Sequence, residues 1–445
     1  MQNQSHITIV IPLFNGAKYI GACIESLAAQ TLPPAQIIVV DDASTDGGGQ
    51  IAAGFPQARV IRQSANFGYA HTINAGIRAA RQAMPDAGFI LLLNQDTVLD
   101  PGCLAALDVA FAADPALGIA GCKIRYPGGN TLQHAGGYLD RPSATAHHLG
   151  QGEVDQGQYD QRTTPEFVTG AALALATRAL DALGGMDESI SRAYYEDIDL
   201  CFRARAAGFN VTYVPAVTLS HVEGSVISSH SYAQALHYHT GRIQFVLRHW
   251  PAALLTAFVE GELASFATML SIDNALACAR AYMRAARSID AAIASRRRIY
   301  GCDVDAGCDP HFWTNIQRGL LDAHEAALRC VWTVAAQHDG GVDSHLTATL
   351  TAAPAPDPQL QAFKFTSNVP LLGGLIAWTR NAIHSLAGKW ALRHLADQQS
   401  VFNRQMLGLM EAMHLRILEL TLENRDLVER QSAIQPSVPD EAGDA

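Results

Sequence analysis

The first hundred residues alternate short apolar runs with longer amphipathic segments, and this alternation constrains the fold more than any other feature. The apolar runs have the length of strands, and the segments between them have the periodicity of helices. Strands that are apolar on both faces must be covered on both faces, which is typical of a parallel sheet between helical layers. We therefore expect an α/β sandwich. The runs are ITIVIPL (7–13), QIIVVDD (36–42), ARVIRQ (58–63) and FILLLNQD (89–96).

A polar residue ends or closely follows each of these runs. A single one would usually be a turn residue or a helix cap, but in parallel sheets ligands bind beyond the carboxyl ends of the strands. Four such residues together favour a binding site at one edge of the sheet. They are Asn15, the pair Asp41 and Asp42, Asn66, and Asp96 in the run Asn94-Gln95-Asp96.

Two familiar nucleotide sites are excluded. The first strand leads into PLFNGAKYI and not into GxGxxG, and the chain contains no GxxxxGK[ST], so neither a dinucleotide-binding turn nor a P-loop is expected. The triplet Gly47-Gly48-Gly49 follows Asp46 and is predicted only to open a helix. A phosphate site in this chain needs another source of positive charge.

Charge and cysteine usage narrow the class of protein. A formal net charge of -11 without a long basic tract argues against nucleic acid as a partner. The eight cysteines stand singly, without CxxC pairs, which suits a reducing compartment such as the cytoplasm.

Two apolar stretches were weighed as membrane spans. Leu254–Leu270 is interrupted by Glu260 and Glu262, and Val369–Leu386 is interrupted by charged and amide residues. Neither gives the long uncharged run that a spanning helix needs, and the N-terminus lacks the regions of a signal peptide. Both stretches are predicted to be core or interfacial helices.

The segment from Glu166 to His221 predicts further strands and helices of the same domain. FVTGAALALA reads as a strand, TRALDAL as a short helix, and VTYVP and VTLSH as two short strands. An amphipathic helix is predicted to begin at Glu196-Asp197, where the helix dipole favours carboxylates.

Beyond Pro251 the chain changes character. Ala- and Arg-rich helices come first, then a linker-like stretch at Gly340–Pro358, and then heptads within Gln399–Arg430 that fit a coiled coil and a helix packed on its own chain about equally well. A disordered tail is expected after Ile434. The predicted domains are 1–300, with a helical end from about 251, a helical region and linker at 301–368, and a helical region at 369–445.

Six stretches, in order and spacing, resemble the inverting glycosyltransferases of family 2. The NQD form, QHAGG at 133–137 and HVEGS at 221–225 are similar to its rhamnosyltransferase-like branch. The resemblance covers about residues 7 to 250 and implies a GT-A fold, a mostly parallel sheet flanked by helices, here followed by an α-helical C-terminal extension. The stretches are IVIPLFNGAKYIGACIESLAAQT, IIVVDDASTD, NFGYAHTINAGI, LLLNQD, VTGAALA and YYEDIDLCFRARAAGF.

The resemblance implies a divalent cation, Mn²⁺ or Mg²⁺, at the donor's diphosphate. Asp96 matches the family's metal-binding carboxylate, and His221 is the natural second ligand, which favours Mn²⁺. A single His after a strand is usually structural, but its match to the family motif favours the ligand role. Asn94 and Gln95 depart from the acidic pattern and are expected to hydrogen-bond ribose or sugar.

The resemblance also implies a nucleotide-sugar pocket. Asp41 matches the acid that reads the nucleobase, while Asp42 is expected to cap the following turn with Ser44. Gly68 is expected to be a turn or cap residue as well. The other residues assigned to this pocket are Pro12 and Asn15 beside the base, Asn66, Gly68 and Asn74 over base and ribose, and Gly170 in VTGAALA.

The resemblance further implies that the acid pair at the start of the predicted helix supplies the catalytic base. Inversion requires a base on the face of the sugar opposite the leaving group, and the family's pattern assigns this role to Asp197, with Glu196 as the alternative. Neighbouring acids raise each other's pKa, which suits a general base. Capping of the helix is compatible with this role.

The expected function is transfer of a sugar to a glycan or lipid-linked acceptor in bacterial surface polysaccharide synthesis. dTDP-rhamnose is the donor that the branch suggests, and UDP- and GDP-sugars stay open. The C-terminal helices offer a surface for peripheral contact with the inner face of the cell membrane or for self-association. The alternative is a non-catalytic nucleotide-sugar-binding or scaffold protein of the same fold. A sugar-nucleotide pyrophosphorylase would need a basic Gly-rich loop where PLFNGAKYI stands.

Overall fold

The computed structural model describes most of the chain up to His338. The predicted linker, the heptad segment and the stretch Val369–Leu386 lie outside the described residues, and the predicted domain boundaries stay predictions. All sites discussed below belong to one compact unit that includes residues up to Val331. The described residues are 6–85, 87–190, 192–222, 231–265, 271–303 and 310–338.

The described residues form a mostly parallel sheet with helices on both faces, which confirms the predicted fold class. Its strands are β1 (Ile7–Leu13), β2 (Gln36–Asp41), β3 (Ala58–Arg62), β4 (Phe89–Leu93), β5 (Thr97–Leu99), β6 (Leu117–Arg125), β7 (Leu132–His134), β10 (Ala172–Ala176) and β11 (Asn210–His221), and a separate hairpin consists of β8 (Gly137–Leu139) and β9 (Ala146–His148).

Eleven helices are found among the described residues. They are α1 (Ile20–Ala28), α2 (Gly48–Ala53), α3 (Tyr69–Ala83), α4 (Cys103–Ala113), α5 (Thr177–Leu183), α6 (Glu196–Ala206), α7 (Tyr232–His249), α8 (Ala252–Ser265), α9 (Ile272–Arg287), α10 (Ile289–Tyr300) and α11 (Phe312–His338). As predicted, the glycine triplet opens α2 and the acid pair opens α6.

The strand order places the carboxyl ends of the N-terminal strands together. The order is β3-β2-β1-β4-β10-β6-β11-β5, with β7 beside β6. Strands β1 to β4 are parallel, whereas β10 runs antiparallel to both of its neighbours, β4 and β6. The N-terminus of β10 therefore lies next to the carboxyl end of β4, where the polar run from Asn94 begins.

The core explains why the apolar runs form this sheet. In β1 the side chains of Ile7, Ile9, Ile11 and Leu13 are fully buried in one cluster with α1. On the other face α3 packs closely, because a Cβ at Gly76 would lie 2.3 Å from Cγ1 of Val10. Burial on both faces is what an uninterrupted apolar strand requires.

The prediction of two short strands before His221 needs correction. VTYVP and VTLSH are one strand, β11, whose register against β6 shifts between Val214 and Thr218. Pro215 explains the interruption, since proline cannot donate a ladder hydrogen bond.

The membrane candidate near residue 254 folds as helix α8. Glu262, which interrupts the apolar run, is buried and forms two hydrogen bonds with Arg242 of α7, at 2.9 and 2.6 Å. Across the parts of the chain that the structure describes, none of the helices has both the length and the apolar character needed to span a bilayer.

Candidate active site

Strand pairing brings Asp96 and His221 together. His221 ends β11 opposite Thr97, the first residue of β5, so Asp96 lies beside the imidazole. Oδ1 of Asp96 is 3.3 Å from Nε2 of His221, and both side chains are largely buried. On the other side of the ring, Nδ1 is 2.8 Å from Oε1 of Gln133. The amide oxygen can only accept, so Nδ1 carries a proton; Nε2, which faces Asp96, offers a lone pair when the ring is neutral.

These two side chains fit a hard divalent cation. Ligand atoms at adjacent positions of such a cation lie about 3 Å apart, close to the observed separation. A ligating histidine usually donates its other N–H to a fixed acceptor, as His221 does to Gln133. Asn94 adds a buried Oδ1 that has no hydrogen-bond partner among the described residues. No cluster of three or more His, Cys, Asp or Glu that could hold a metal occurs in the described residues, so a cation here would need phosphate or water oxygens as well.

Gln95 holds the loop after β1. Its Oε1 accepts from the backbone N–H of Phe14 at 2.9 Å, and its Nε2 donates to the carbonyl of Phe14 at 3.1 Å. A Cβ at Gly16 would lie 2.4 Å from the amide, so the loop approaches closely only because residue 16 is glycine. The predicted contact of Gln95 with ribose or sugar stays a prediction, since the structure gives its amide this other role.

Asp41 lies buried at the end of β2 with a partner on each carboxylate oxygen. Oδ1 accepts from the N–H of Ser44 at 2.8 Å, and Oδ2 accepts from Nη1 of Arg62 at 2.8 Å. The side chain of Arg62 is 54% exposed and reaches the carboxylate from solvent. Gly49 leaves room for Oδ2, because a Cβ there would lie 2.4 Å from it.

Asp42 does not cap the turn at Ser44, as the sequence suggested; Asp41 does. Asp42 instead accepts hydrogen bonds from the backbone N–H groups of Phe67 and Gly68, at 2.8 and 3.0 Å. Burial raises the pKa of Asp42, and these two hydrogen bonds oppose the rise. Gly68, at φ +95°, precedes the first residue of α3, so its prediction as a cap residue is confirmed.

Asn15 joins the loops that follow β1 and β2. Its Oδ1 accepts from the N–H of Thr45 at 2.9 Å, and its own N–H donates to Oγ of Ser44 at 3.0 Å. Its backbone is left-handed, with φ +46°. Pro12 is half-buried in β1 opposite Val40 of β2. Both therefore lie at the edge of the sheet where the sequence predicted the base.

Asn66 and Asn74 contact the segment that precedes the acid pair. The side-chain and backbone oxygens of Asn66 accept from Nη2 of Arg192 at 2.5 and 2.9 Å. Asn74 is buried, donates to the carbonyl of Met186 and to Glu188, and accepts from the N–H of Met186. Both donors of the Asn74 amide are thus used within the chain. Its predicted contact with the nucleotide stays a prediction.

The acid pair begins α6, and its two members have different environments. Asp197 accepts from the N–H groups of Gly170 and Ile198 at 2.7 and 2.8 Å. Burial raises its pKa, and these hydrogen bonds oppose the rise. Glu196 is only 7% exposed, and its Oε2 has no partner among the described residues. Burial, and next the charge of Asp197, raises the pKa of Glu196 to about 8.

The peptide between Gly170 and Ala171 connects the two halves of the site. On one side of it, the N–H of Gly170 donates to Asp197. On the other side, the carbonyl of Ala171 accepts from the backbone N–H of Asn94 at 2.9 Å. Residue 170 is tightly enclosed: a Cβ there would contact Cβ of Asp197 at 3.4 Å, and at 3.1 Å from the hydroxyl of Tyr69 it would force that side chain to shift by a few tenths of an ångström. The metal-ligand candidates and the acid pair therefore belong to one cluster.

Tyr69 lies within this cluster. Its hydroxyl donates to the carbonyl of Gly170 at 2.8 Å. Burial raises its pKa well above the usual value, and nearby negative charges raise it further. Those charges come from Glu196, Asp197 and Asp96. All three carboxyl groups thus lie near enough to this hydroxyl group to affect its pKa.

A comparison with known proteins finds a family match in the first part of the chain. Residues 8–172 match the family described as glycosyl transferase family 2. The matched part of the chain is a family 2 glycosyltransferase domain.

Three similar proteins illustrate the relationship. An uncharacterized protein of Sinorhizobium fredii, y4gI, is 31% identical over 51% of this chain, but the match spans only 25% of its own length. The N-acetylglucosaminyl-diphospho-decaprenol L-rhamnosyltransferase of Mycobacterium tuberculosis is 27% identical over 58% of this chain and 90% of its own length. The structure of the Pyrobaculum calidifontis mannosyltransferase PcManGT, in complex with GDP-Man and Mn²⁺, is 18% identical and covers 75% of this chain and 88% of its own, with a TM-score of 0.40.

A pair of histidines lies next to the acid pair of this glycosyltransferase. Nδ1 of His134 is 2.7 Å from Nδ1 of His148, and both rings contact Phe167. Burial lowers the pKa of His134 well below its usual value, so this ring is neutral. The charge of His148 lowers the pKa of Asp197, in opposition to burial.

Sequence reasoning missed several residues of this site. Gln133 and Tyr69 were within reach, since they belong to QHAGG and NFGYAHTINAGI, two of the stretches that carried the family resemblance. The other three had no local signal, because each acts through a partner distant in the chain. The missed residues are Arg62, Tyr69, Gln133, His148 and Arg192.

Proposed function

We propose that this protein is an inverting glycosyltransferase that moves a sugar from a nucleotide-diphosphate donor to a glycan or lipid-linked acceptor. The observation that carries the proposal is that the Asp96–His221 pair and Asp197 lie at one end of β10: Asn94, two residues before Asp96, donates its backbone N–H to the carbonyl of Ala171, and the N–H of Gly170 binds Asp197. Cation ligands and a candidate base in one cluster suit a reaction that expels a diphosphate and deprotonates a hydroxyl.

Rhamnose is the sugar that we propose first. The support is the Mycobacterium tuberculosis rhamnosyltransferase, which matches this chain over 90% of its own length. A dTDP-linked donor follows from this assignment, and UDP- and GDP-linked sugars are the alternatives. The acceptor that we propose is a lipid-linked glycan of a bacterial surface polysaccharide. An acceptor of that kind requires the enzyme to work in peripheral contact with a membrane.

Asp96 and His221 would hold Mn²⁺ or Mg²⁺ at the donor diphosphate. The cation would neutralise the charge that develops on the leaving group. Gln133 supports this role because it fixes the imidazole with its Nε2 toward Asp96. Nitrogen in the ligand set favours Mn²⁺ over Mg²⁺.

Asp197 is the proposed base. The acceptor hydroxyl gives its proton to the Asp197 carboxylate while its oxygen forms a bond to the anomeric carbon and the carbon–oxygen bond to the diphosphate breaks. Glu196, with a pKa raised to about 8, holds a proton at neutral pH and cannot accept another. The two N–H groups that bind Asp197 favour its ionised form. The negative charge of the pair therefore lies on Asp197, the residue that acts as the base.

The donor's nucleobase would bind at the edge formed by β1 and β2. Asp41 keeps lone pairs beyond those used by Ser44 and Arg62, and these can accept the imide N–H of uracil or thymine. Pro12 and Asn15 border the same edge. Asn66 and Gly68 border it from the start of α3.

The direct test is release of nucleoside diphosphate from a panel of dTDP-, UDP- and GDP-sugars, with and without Mn²⁺. We expect metal-dependent release from one donor, lost by at least about 100-fold in Asp96→Ala, because the leaving group then lacks its ligand-held counter-charge. Asp108→Asn, on the exposed side of α4, is the matched control and should retain full activity. Full metal-dependent release by Asp96→Ala would contradict the assignment of Asp96. Failure of every donor, even with bacterial glycan acceptors, would favour a non-catalytic binding protein.

A further inference from the structure

Two tyrosines before the acid pair have an unusual backbone. Tyr194 and Tyr195 have φ values of +69° and +71°, in the left-handed region that residues other than glycine rarely adopt. Tyr195 immediately precedes Glu196 and is the N-cap of α6. The orientation of the Glu196 and Asp197 side chains therefore depends on the contacts that hold Tyr194 and Tyr195 in this conformation.

Gly241 of helix α7 lies against them. A Cβ at position 241 would lie 2.4 Å from the carbonyl oxygen of Tyr194 and 3.1 Å from Cβ of Tyr195. Real Cβ atoms essentially never come as close as 2.4 Å to another atom, and the atom in question is backbone, so it cannot rotate away. Helix α7 can approach the strained residues only because residue 241 is glycine.

Neighbours of Gly241 on α7 hold the same region from other sides. The ring of Tyr238 packs edge-on against those of Tyr194 and Tyr195, with centroids 6.3 and 5.5 Å away. The hydroxyl of Tyr195 donates to the carbonyl of Ala144 at 2.6 Å.

The loop that contains Ala144 is itself tied to α7. Arg242, next to Gly241, donates to the carbonyl of Ser143 at 2.8 Å. Its guanidinium is fixed by Glu262 of α8 through two hydrogen bonds. The strained residues, the loop at 143–144 and helix α7 thus form one closed set of contacts.

We propose that Gly241 is a positioning residue for the transfer reaction: it lets α7 hold Tyr194 and Tyr195 in the conformation that directs Asp197 toward the acceptor hydroxyl. Gly241 itself touches neither substrate. This inference rests on the proposed function. Alanine at this position would displace the Tyr194 carbonyl and the first turn of α6, and the hydrogen bond from Gly170 to Asp197 would lengthen from 2.7 Å. Asp96, which precedes β5, and His221, at the end of β11, would keep their places.

Gly241→Ala is compared with Gly261→Ala in the full-length protein. Gly261 is the matched control, since it also lies within a helix, α8, but a Cβ there would meet nothing within 4 Å. We expect Gly241→Ala to lower kcat by about 10- to 100-fold, because small displacements of a reacting group have effects of that size. The KM for the donor should stay within about twofold, since the donor site is unchanged, and Gly261→Ala should match the wild type.

The pH profile separates positioning from general damage. Loss of the Gly170 N–H removes a hydrogen bond to the ionised form of Asp197, so its pKa rises and the acidic limb of the kcat profile moves to higher pH. Thermal unfolding verifies that each variant is folded. If Gly241→Ala does not fold, Tyr195→Phe is the deciding variant, because it removes the hydrogen bonds of the Tyr195 hydroxyl to the carbonyl of Ala144 and to the hydroxyl of Tyr238. In that variant kcat should fall roughly threefold or more at constant donor KM.

A folded Gly241→Ala with kcat within about twofold of the wild type would overturn the inference, as would an equal loss in Gly261→Ala. If Gly241→Ala does not fold, a Tyr195→Phe protein with unchanged kcat would also overturn the inference. If the wild type transfers no sugar at all, the proposed function fails, and the inference falls with it. An active wild type and an unaffected Gly241→Ala would contradict the inference alone.

Discussion

At the scale of single residues, the site depends on giving two adjacent acids different tasks. Asp197 receives two backbone N–H groups, while the neighbouring Glu196 is buried with an unpartnered oxygen. Hydrogen bonds to an ionised carboxylate favour the charge, and burial without partners favours the proton. The proposed base and its proposed proton-holding neighbour therefore differ in environment, although the charge pattern of the sequence does not distinguish them.

Replacement of Glu196 tests this difference through stability. Its folded pKa of about 8 exceeds the ordinary value of 4.5, so the folded protein holds a proton that the unfolded chain releases between these pH values. Stability of the wild type therefore falls as pH rises from about 4.5 through 8. Glu196→Gln cannot lose a proton, and relative to the wild type it should gain on the order of 1–4 kcal/mol of unfolding free energy over that range.

Urea unfolding of both proteins at several pH values measures the effect. Titrating groups that do not interact with Glu196 are common to both proteins and cancel in the difference, whereas Asp197, whose pKa depends on Glu196, contributes to it. Parallel pH dependences for the two proteins would mean that Glu196 is ionised in the fold at neutral pH, which would return it to consideration as the base.

At the scale of elements, β7 and the β5–β11 pair build the candidate cation site. Gln133 of β7 holds Nδ1 of His221 on β11, and Asp96 precedes β5. A hydrogen bond to the ring nitrogen that does not bind the metal typically strengthens metal affinity by roughly 10- to 100-fold, because it fixes the orientation of the imidazole. We expect Gln133→Ala to weaken Mn²⁺ binding by about that factor.

The measurement is a Mn²⁺ titration in the presence of nucleoside diphosphate, followed by electron paramagnetic resonance. Gln151→Ala, at an exposed glutamine of a nearby turn, serves as the control and should bind like the wild type. Unchanged affinity in Gln133→Ala would show that the His221 orientation does not depend on this hydrogen bond.

The same scale explains what the sequence could and could not predict. Strands β1 to β4 were predictable because burial on both faces leaves an apolar run, and the start of α6 was predictable from its charge pattern. The partners of Asp42 and Asn74 were not. From sequence alone, an asparagine inside a helix is equally consistent with a ligand contact and with a buried structural hydrogen bond. For Asn74 the hydrogen-bond partner is Met186, which lies 112 positions away in the chain.

At the scale of the whole molecule, the candidate site combines segments from the entire described domain. Asp96 follows β4, Gly170 precedes β10, the acid pair opens α6 and His221 ends β11. Family resemblance named these residues one at a time, but only the antiparallel insertion of β10 beside β4 explains why they meet. Helix α7, which the resemblance did not address, supplies the support for the acid pair.

The central claim is that Asp197 takes the acceptor's proton at a site whose donor half is built by other residues. The measurement that tests it most directly is the steady-state kinetics of Asp197→Asn with the donor that the wild type uses. Asparagine keeps the shape but cannot act as a base, so kcat should fall by about 100-fold or more while the donor KM and Mn²⁺ affinity stay near wild-type values. An Asp197→Asn enzyme with undiminished kcat would contradict the account.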